Sequence, residues 1–187
     1  MNGGPFLGNV TFVMFEPRSR ALISINSVDF PILKAFPTSA RRPAIKRKAE
    51  QLLSIIRVLV ADDFERWRRQ VRLLLRVRPE LQVICEASDG SEAVQKADDL
   101  KPDLIVLDIG LPKLNGIEAA RRIRQLSTGS KILFLSQNND PDIVQAALDT
   151  GALGYIHKTS AREELLPAVE AVLQGNQFVS NSLKTKN

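Results

Sequence analysis

The chain has 187 residues, 44% of them hydrophobic and 25% charged, with a formal net charge of +5. One globular domain with an appendage fits that length. A disulfide scaffold is excluded by the single cysteine, Cys85, and a membrane span by the lack of any apolar run near the roughly 18 residues it requires. The charge is uneven: residues 1–57 carry nine Lys/Arg against three Asp/Glu, and residues 58–187 carry seventeen against eighteen. A nucleic-acid footprint over the whole protein is therefore not indicated.

Residues 1–43 hold five prolines (Pro5, Pro17, Pro31, Pro37 and Pro43) and few acids. They have neither the basic opening nor the unbroken apolar run of a secretory signal. Their prolines also argue against the amphipathic helix of a transit peptide. The expectation for 1–54 is an irregular, mostly disordered extension, or a start called too early, with the true one near Leu52 or Leu53. A short helix is expected over 44–54.

A regular pattern then sets in. Residues 55–61 (IIRVLVA) form a short β-branched run and read as a buried strand. Apolar residues at 64, 67, 71, 74 and 75 predict a helix over 64–77, ended by Pro79. Strands follow at 81–87, 103–108, 131–136 and 152–158. Helices follow at 91–100, entered through Asp89-Gly90, and at 116–126. The helix at 140–151 has Asp140 as N-cap, Pro141 at the first helical position and Gly151 past its end. The last helix, 160–175, is expected to open on Ser160 with Glu163 completing a capping box. Cys85 lies in an apolar strand and reads as a packed core thiol. Arg69, Arg72 and Arg76 share a helical face that is either solvated or a dock for an acidic partner.

Five apolar strands alternating with five helices predict a doubly wound parallel sheet with helices on both faces. In such folds the site lies beyond the carboxyl ends of the strands. The first strand runs into Asp62 and Asp63, the third into Asp108, the fourth ends on Ser136 and the fifth on Lys158. Asp63 alone could equally cap the following helix. Three clustered carboxylates repel unless a cation joins them, and oxygen ligands of this type suit Mg²⁺. A carboxylate beside a metal, a lysine and a hydroxyl has the parts to accept a phosphoryl group.

Here the sequence resembles a family. The ordered set Asp62-Asp63, DIGLPKLNG from Asp108, Ser136 and Lys158 resembles the receiver domain of bacterial response regulators over roughly residues 56–175. The stretches LDIGLPKLNGIEAARRIR and GALGYIHKTSAREELLPAVEAVLQG resemble its NarL/FixJ-like subgroup. The resemblance implies a flavodoxin-like (βα)5 fold with strand order 2-1-3-4-5, a receiver domain over 55–176 and a tail or linker over 177–187. It implies Asp108 as phosphoacceptor. The metal ligands would be Asp62 (through water), Asp63, Asp108 and the Gly110 carbonyl, holding Mg²⁺ or, in its place, Mn²⁺. Ser136 and Lys158 would serve the phosphoryl group, and Ser136 and Tyr155 would form the conformational switch. Pro112 and Gly116 match the loop that shapes the site. For Tyr155 the plainer alternative is a static half-buried aromatic. His157 is out of phase with Lys158 and reads as a packing or surface residue.

The resemblance also implies a cytoplasmic regulator with a sensor histidine kinase or phosphotransfer protein as donor. Phosphorylation would act on the face made by the fourth helix, fifth strand and fifth helix, controlling homodimerisation or partner binding. In place of the family's usual proline, Thr159 follows the lysine. After the last predicted helix the sequence given holds too few residues for a helix-turn-helix, so no direct DNA binding and no membrane partner are expected of it. Two rivals stand beside this reading. One is an Mg²⁺-dependent phosphatase on the same scaffold. The other is a phosphorylation-independent pseudo-receiver acting as an interaction module.

Overall fold

The computed structural model describes residues 55–184; the extension expected over 1–54 and the helix expected over 44–54 lie outside them. The elements are β1 (Ile56–Ala61), α1 (Glu65–Leu75), β2 (Leu81–Ala87), α2 (Gly90–Leu100), β3 (Leu104–Leu107), α3 (Gly116–Leu126), β4 (Lys131–Ser136), α4 (Pro141–Leu148), β5 (Gly154–His157), α5 (Ala161–Leu173), β6 (Phe178–Val179) and α6 (Asn181–Lys184). They form a single parallel sheet of order β2-β1-β3-β4-β5-β6. The fold is flavodoxin-like, and the first five strands follow the expected order.

Strand periodicity explains the two-sided core. Leu59 and Ala61 of β1, with Ile105 and Leu107 of β3, face α2, α3 and α4 through Ala93, Ala97, Ala119, Ala120 and Ala147. Alanines on those helices let them sit close to the sheet. Val58, Val60, Leu104 and Val106 point the other way, onto Val71 and Leu75 of α1 and Leu165, Val169 and Val172 of α5. Both faces are covered, which is why the strands are apolar without alternation. Gly154 permits the packing of α5 on β5, since a Cβ there would lie 2.4 Å from Leu133 Cδ1 and 3.0 Å from Val172 Cγ2. Cys85 packs against the first cluster, and burial pushes its thiol above the ordinary value.

The helix starts follow their caps. Asp89, Asn115 and Asp140 each accept a backbone N–H from the first turn of α2, α3 and α4. Two expectations fail. Ser160 makes no side-chain cap, because Lys158–Ser160 form a 3₁₀ turn that delivers the chain into α5 at φ −93° and ψ 0°. The sheet also has six strands rather than five. After α5 the chain reverses at Gly175, whose φ is +84°, and runs back along β5. Phe178 N then donates to Leu153 O and Ser180 N to Tyr155 O, both at 2.9 Å. Ser180 is fully buried, its hydroxyl bonds the Glu164 carboxylate, and Leu183 packs on the first core cluster. Part of the segment expected as a tail is thus docked on the sheet.

Candidate functional site

The strand ends converge because the strands are parallel. Asp62 N donates to Ala87 O (3.1 Å) and Asp108 N to Ala61 O (2.9 Å), so both aspartates continue the ladder by one residue past their strands. The Asp62-Asp63 turn is then locked twice. Asp62 Oδ1 accepts Phe64 N at 3.0 Å. The Arg68 guanidinium donates to the carbonyls of Asp62 (2.7 Å) and Asp63 (3.3 Å) while its Nε binds Glu86 at 3.1 Å. Asp63 therefore does not cap α1, whose first residue follows Phe64 without a side-chain cap.

Lys158 stands at the centre. It is buried, with Nζ 2.6 Å from Asp62 Oδ2 and 3.1 Å from Asp108 Oδ2. The ammonium also lies 5.1 Å from the centroid of the Trp67 ring, a cation–π contact that closes the site on the α1 side. Burial raises the Asp62 carboxyl above its ordinary value, and Lys158 works against that shift. Charge remains unbalanced: one ammonium faces three carboxylates. Asp62, Asp63 and Asp108 bring an oxygen each within 4.8 Å of one another. Asp63 Oδ1 is buried without a hydrogen-bond partner. An orphaned oxygen on a carboxylate of an acidic cluster is costly, and a hard divalent cation is the group that would satisfy it. The residues present fit magnesium.

A cavity of about 370 Å³ opens over these groups, lined by Asp63, Asp108, Gly110, Ser136 and Lys158 together with exposed Phe64. Five of the seven residues singled out in the sequence thus share one cavity, and Asp62 reaches it through Lys158. Ser136 Oγ accepts Asn138 N at 3.3 Å and makes no bond to Asp108. A Cβ on Gly110 would meet Asp108 Oδ2 at 3.5 Å, an ordinary contact, so glycine is not sterically required there. Gly116 is different: a Cβ there would stand 2.0 Å from Asp108 O.

Tyr155 lies behind the cavity, not on it. Its ring is fully buried 6.2 Å from that of Phe134, and its hydroxyl donates to Asn138 O at 2.8 Å. Burial pushes its pKa up to about 12. The ring is fully buried rather than half-buried as the alternative reading had it. His157 spans two loops, with Nε2 2.9 Å from Gln137 O and Nδ1 2.6 Å from Thr159 Oγ1. Because the carbonyl can only accept, Nε2 donates to it. On α1, Arg72 pairs with Glu86, while Arg69 and, at the helix C-cap, Arg76 are exposed and have no ion pair among the described residues.

Arg68 is a neighbour of the candidate site that the residue pattern does not reveal. Its partners are mainly backbone carbonyls, which leave no residue pattern; only its pairing with Glu86, 18 positions on, carries a side-chain signal.

Residues 58–170 match the Response regulator receiver domain family. The chain is 36% identical over 124 residues to the transcriptional regulatory protein DegU of Brevibacillus brevis, covering 66% of this chain and 52% of that one. It is 35% identical over 126 residues to the nitrate/nitrite response regulator protein NarL of Escherichia coli K12, covering 67% and 58%. The chain therefore spans little more than half the length of these curated relatives. A solved LuxR-family two-component response regulator from Aurantimonas superposes with a TM-score of 0.68 at 34% identity, over 71% of this chain and 95% of that one.

Proposed function

The chain belongs to the response regulator receiver domain family, its relatives being NarL-type regulators, and from that premise we propose that Asp108 accepts a phosphoryl group from a partner's phosphohistidine. The receiver domain in this reading spans 55–176, with Phe178–Lys184 docked on it. A carboxylate oxygen of Asp108 attacks phosphorus, the P–O bond forms, the P–N bond breaks, and the imidazole leaves carrying a proton. Lys158, already 3.1 Å from Asp108 Oδ2, faces charge that develops on the phosphoryl oxygens. Asp62, Asp63, Asp108 and the Gly110 carbonyl are the groups that would hold magnesium or manganese, which when bound neutralises those oxygens. Ser136, across the same cavity, is the hydroxyl to donate to one of them. Water later hydrolyses the acyl phosphate and returns the free carboxylate.

The donor in this reading is a sensor histidine kinase or a phosphotransfer protein in the cytoplasm, and no helix among the described residues is long and apolar enough to cross a membrane. Phosphorylation shifts a two-state equilibrium through Ser136 and Tyr155, read out on the face of α4, β5 and α5 as dimerisation or partner binding. What supports a switch at Tyr155 is its hydroxyl on Asn138 O, two residues from Ser136.

One observation carries the proposal: the unpartnered oxygen on Asp63, within the carboxylate cluster it forms with Asp62 and Asp108. The test is intact mass after incubation with acetyl phosphate, with and without Mg²⁺, for the native chain and Asp108→Asn. The expected result is a magnesium-dependent, base-labile adduct of one phosphoryl group, absent in Asp108→Asn. An unmodified native chain would overturn the proposal and favour the pseudo-receiver.

A further inference from the structure

The loop Ile109–Asn115 leads away from Asp108, carries Gly110, and is held at three points. At its start, Ile109 N bonds the Asp108 carboxylate at 2.8 Å. At its end, Gly116 N donates to Ile109 O at 2.9 Å, with no room for a Cβ against Asp108 O. Its middle rests on the first turn of α2. Gly90 N donates to Pro112 O at 3.3 Å, and a Cβ on Gly90 would stand 1.9 Å from Leu114 O. The Asp89-Gly90 pair that opens α2 thus meets the loop backbone to backbone.

Lys113 is the unusual residue in this loop. Its φ is 61°, the left-handed region that a residue with a Cβ enters only when its surroundings enforce it. Its side chain is 70% exposed, so apolar packing does not hold it. Its ammonium instead lies 2.6 Å from Asp89 Oδ2. Asp89 is buried, and its other oxygen accepts Glu92 N at 2.8 Å. One carboxylate therefore fixes both the first turn of α2 and the strained point of the loop.

We propose that the Asp89–Lys113 pair is a positioning device for the cation site: it holds Ile109–Asn115 in its strained form, keeps Gly110 at the cavity, and so sets the affinity for a divalent cation. Neither residue touches the reacting groups. The logic is that of outer partners which orient a metal's ligands, and it rests on the reading of Asp62, Asp63 and Asp108 as the cation-binding cluster. Because Asp89 also caps α2, cation occupancy and the order of the first turn of α2 are coupled.

The experiment is a Mg²⁺ titration, by calorimetry and by the fluorescence of Trp67, the chain's single tryptophan, which lies on Lys158. It compares the native chain with Lys113→Ala, Lys113→Gly and Asp89→Asn. Lys113→Ala keeps the strain and loses the ion pair, and its Mg²⁺ Kd rises about tenfold, the low end for an outer partner because Lys113 is largely exposed. Asp89→Asn retains an oxygen for Glu92 N and shows the same rise. Lys113→Gly adopts the left-handed conformation freely, folds without the clamp and recovers most of the native affinity. The double variant Asp89→Asn/Lys113→Ala is no weaker than either single one, as two halves of one device require. Equal affinities in all variants beside a native chain that binds Mg²⁺ would overturn this inference alone. A native chain that binds no Mg²⁺ would overturn the cation-site reading and the inference with it.

Discussion

The two ends of the sheet use the same kinds of side chain to opposite effect. At the amino ends of the strands, polar groups complete their bonds on backbone and on one another. Ser130 Oγ donates to Pro102 O at 2.5 Å and shares a hydrogen bond with Ser127 Oγ. Asp103 Oδ2 accepts Arg57 N at 2.7 Å, and Lys101 Nζ donates to Leu126 O at 2.7 Å. At the carboxyl ends, Asp62, Asp108 and Lys158 meet side chain to side chain and Asp63 is left with a bare oxygen. Even the two strained lysines divide this way. Lys101, at φ 44°, ends α2 as a left-handed cap and pairs with Asp98 within its own helix. Lys113, at φ 61°, pairs across the chain with Asp89. The lesson is that polarity alone does not mark a site; incomplete satisfaction does.

The sharpest way to test that contrast is to disturb backbone packing at the carboxyl edge. Gly116→Ala forces a Cβ to 2.0 Å from Asp108 O, and neither side is a flexible group that can yield. The expected loss is about 3 kcal/mol or more in urea unfolding. Gly110→Ala, two residues from Asp108, should stay within about 0.5 kcal/mol of the native chain.

At the opposite edge, Ser130→Ala removes the donor to Pro102 O and strips Ser127 of its partner. It should cost about 1–2 kcal/mol and leave Mg²⁺ affinity unchanged. A shift in Mg²⁺ affinity there would break the contrast between a structural and a chemical edge.

The smallest effect has the opposite sign. Burial lifts the Asp62 carboxyl above its ordinary value in the folded chain, so the fold holds the proton more tightly than the unfolded chain does. The stability this confers is present below the ordinary carboxylate value and is lost as pH rises through the raised one. At neutral pH and in a chelator, Asp62→Asn should therefore raise the thermal midpoint slightly and flatten the fall in stability as pH rises above the ordinary carboxylate value. A lower midpoint would mean that Lys158 does more for Asp62 than burial does against it.

Much of this was legible from residue order because the fold uses local signals strongly. Runs such as LIVLD and KILFLS state a two-faced burial, and Asp89, Asn115 and Asp140 carry their caps in the side chain. Asp63, Asp108, Ser136 and Lys158 were readable as a group because a parallel sheet sends every strand end to one edge. What stayed hidden depends on backbone geometry or on very short elements. β6 has two residues, too few to show a period. Ser160 fits a capping pattern, yet the 3₁₀ turn after Lys158 rotates it out of use. Arg68 works on carbonyls, which every residue has, and the strain at Lys113 leaves no trace in its identity.

The short β6 strand matters in a further sense. Parallel sheets end in rows of unpaired N–H and C=O groups that can recruit a foreign strand. On this molecule β5, at Gly154 and Tyr155, would present such a row, but Phe178–Val179 covers it and the bond between Ser180 and Glu164 fastens the cover. The chain thus replaces the open edge of β5, the very strand that holds Tyr155, with an edge strand of only two residues, while β2 forms the opposite edge.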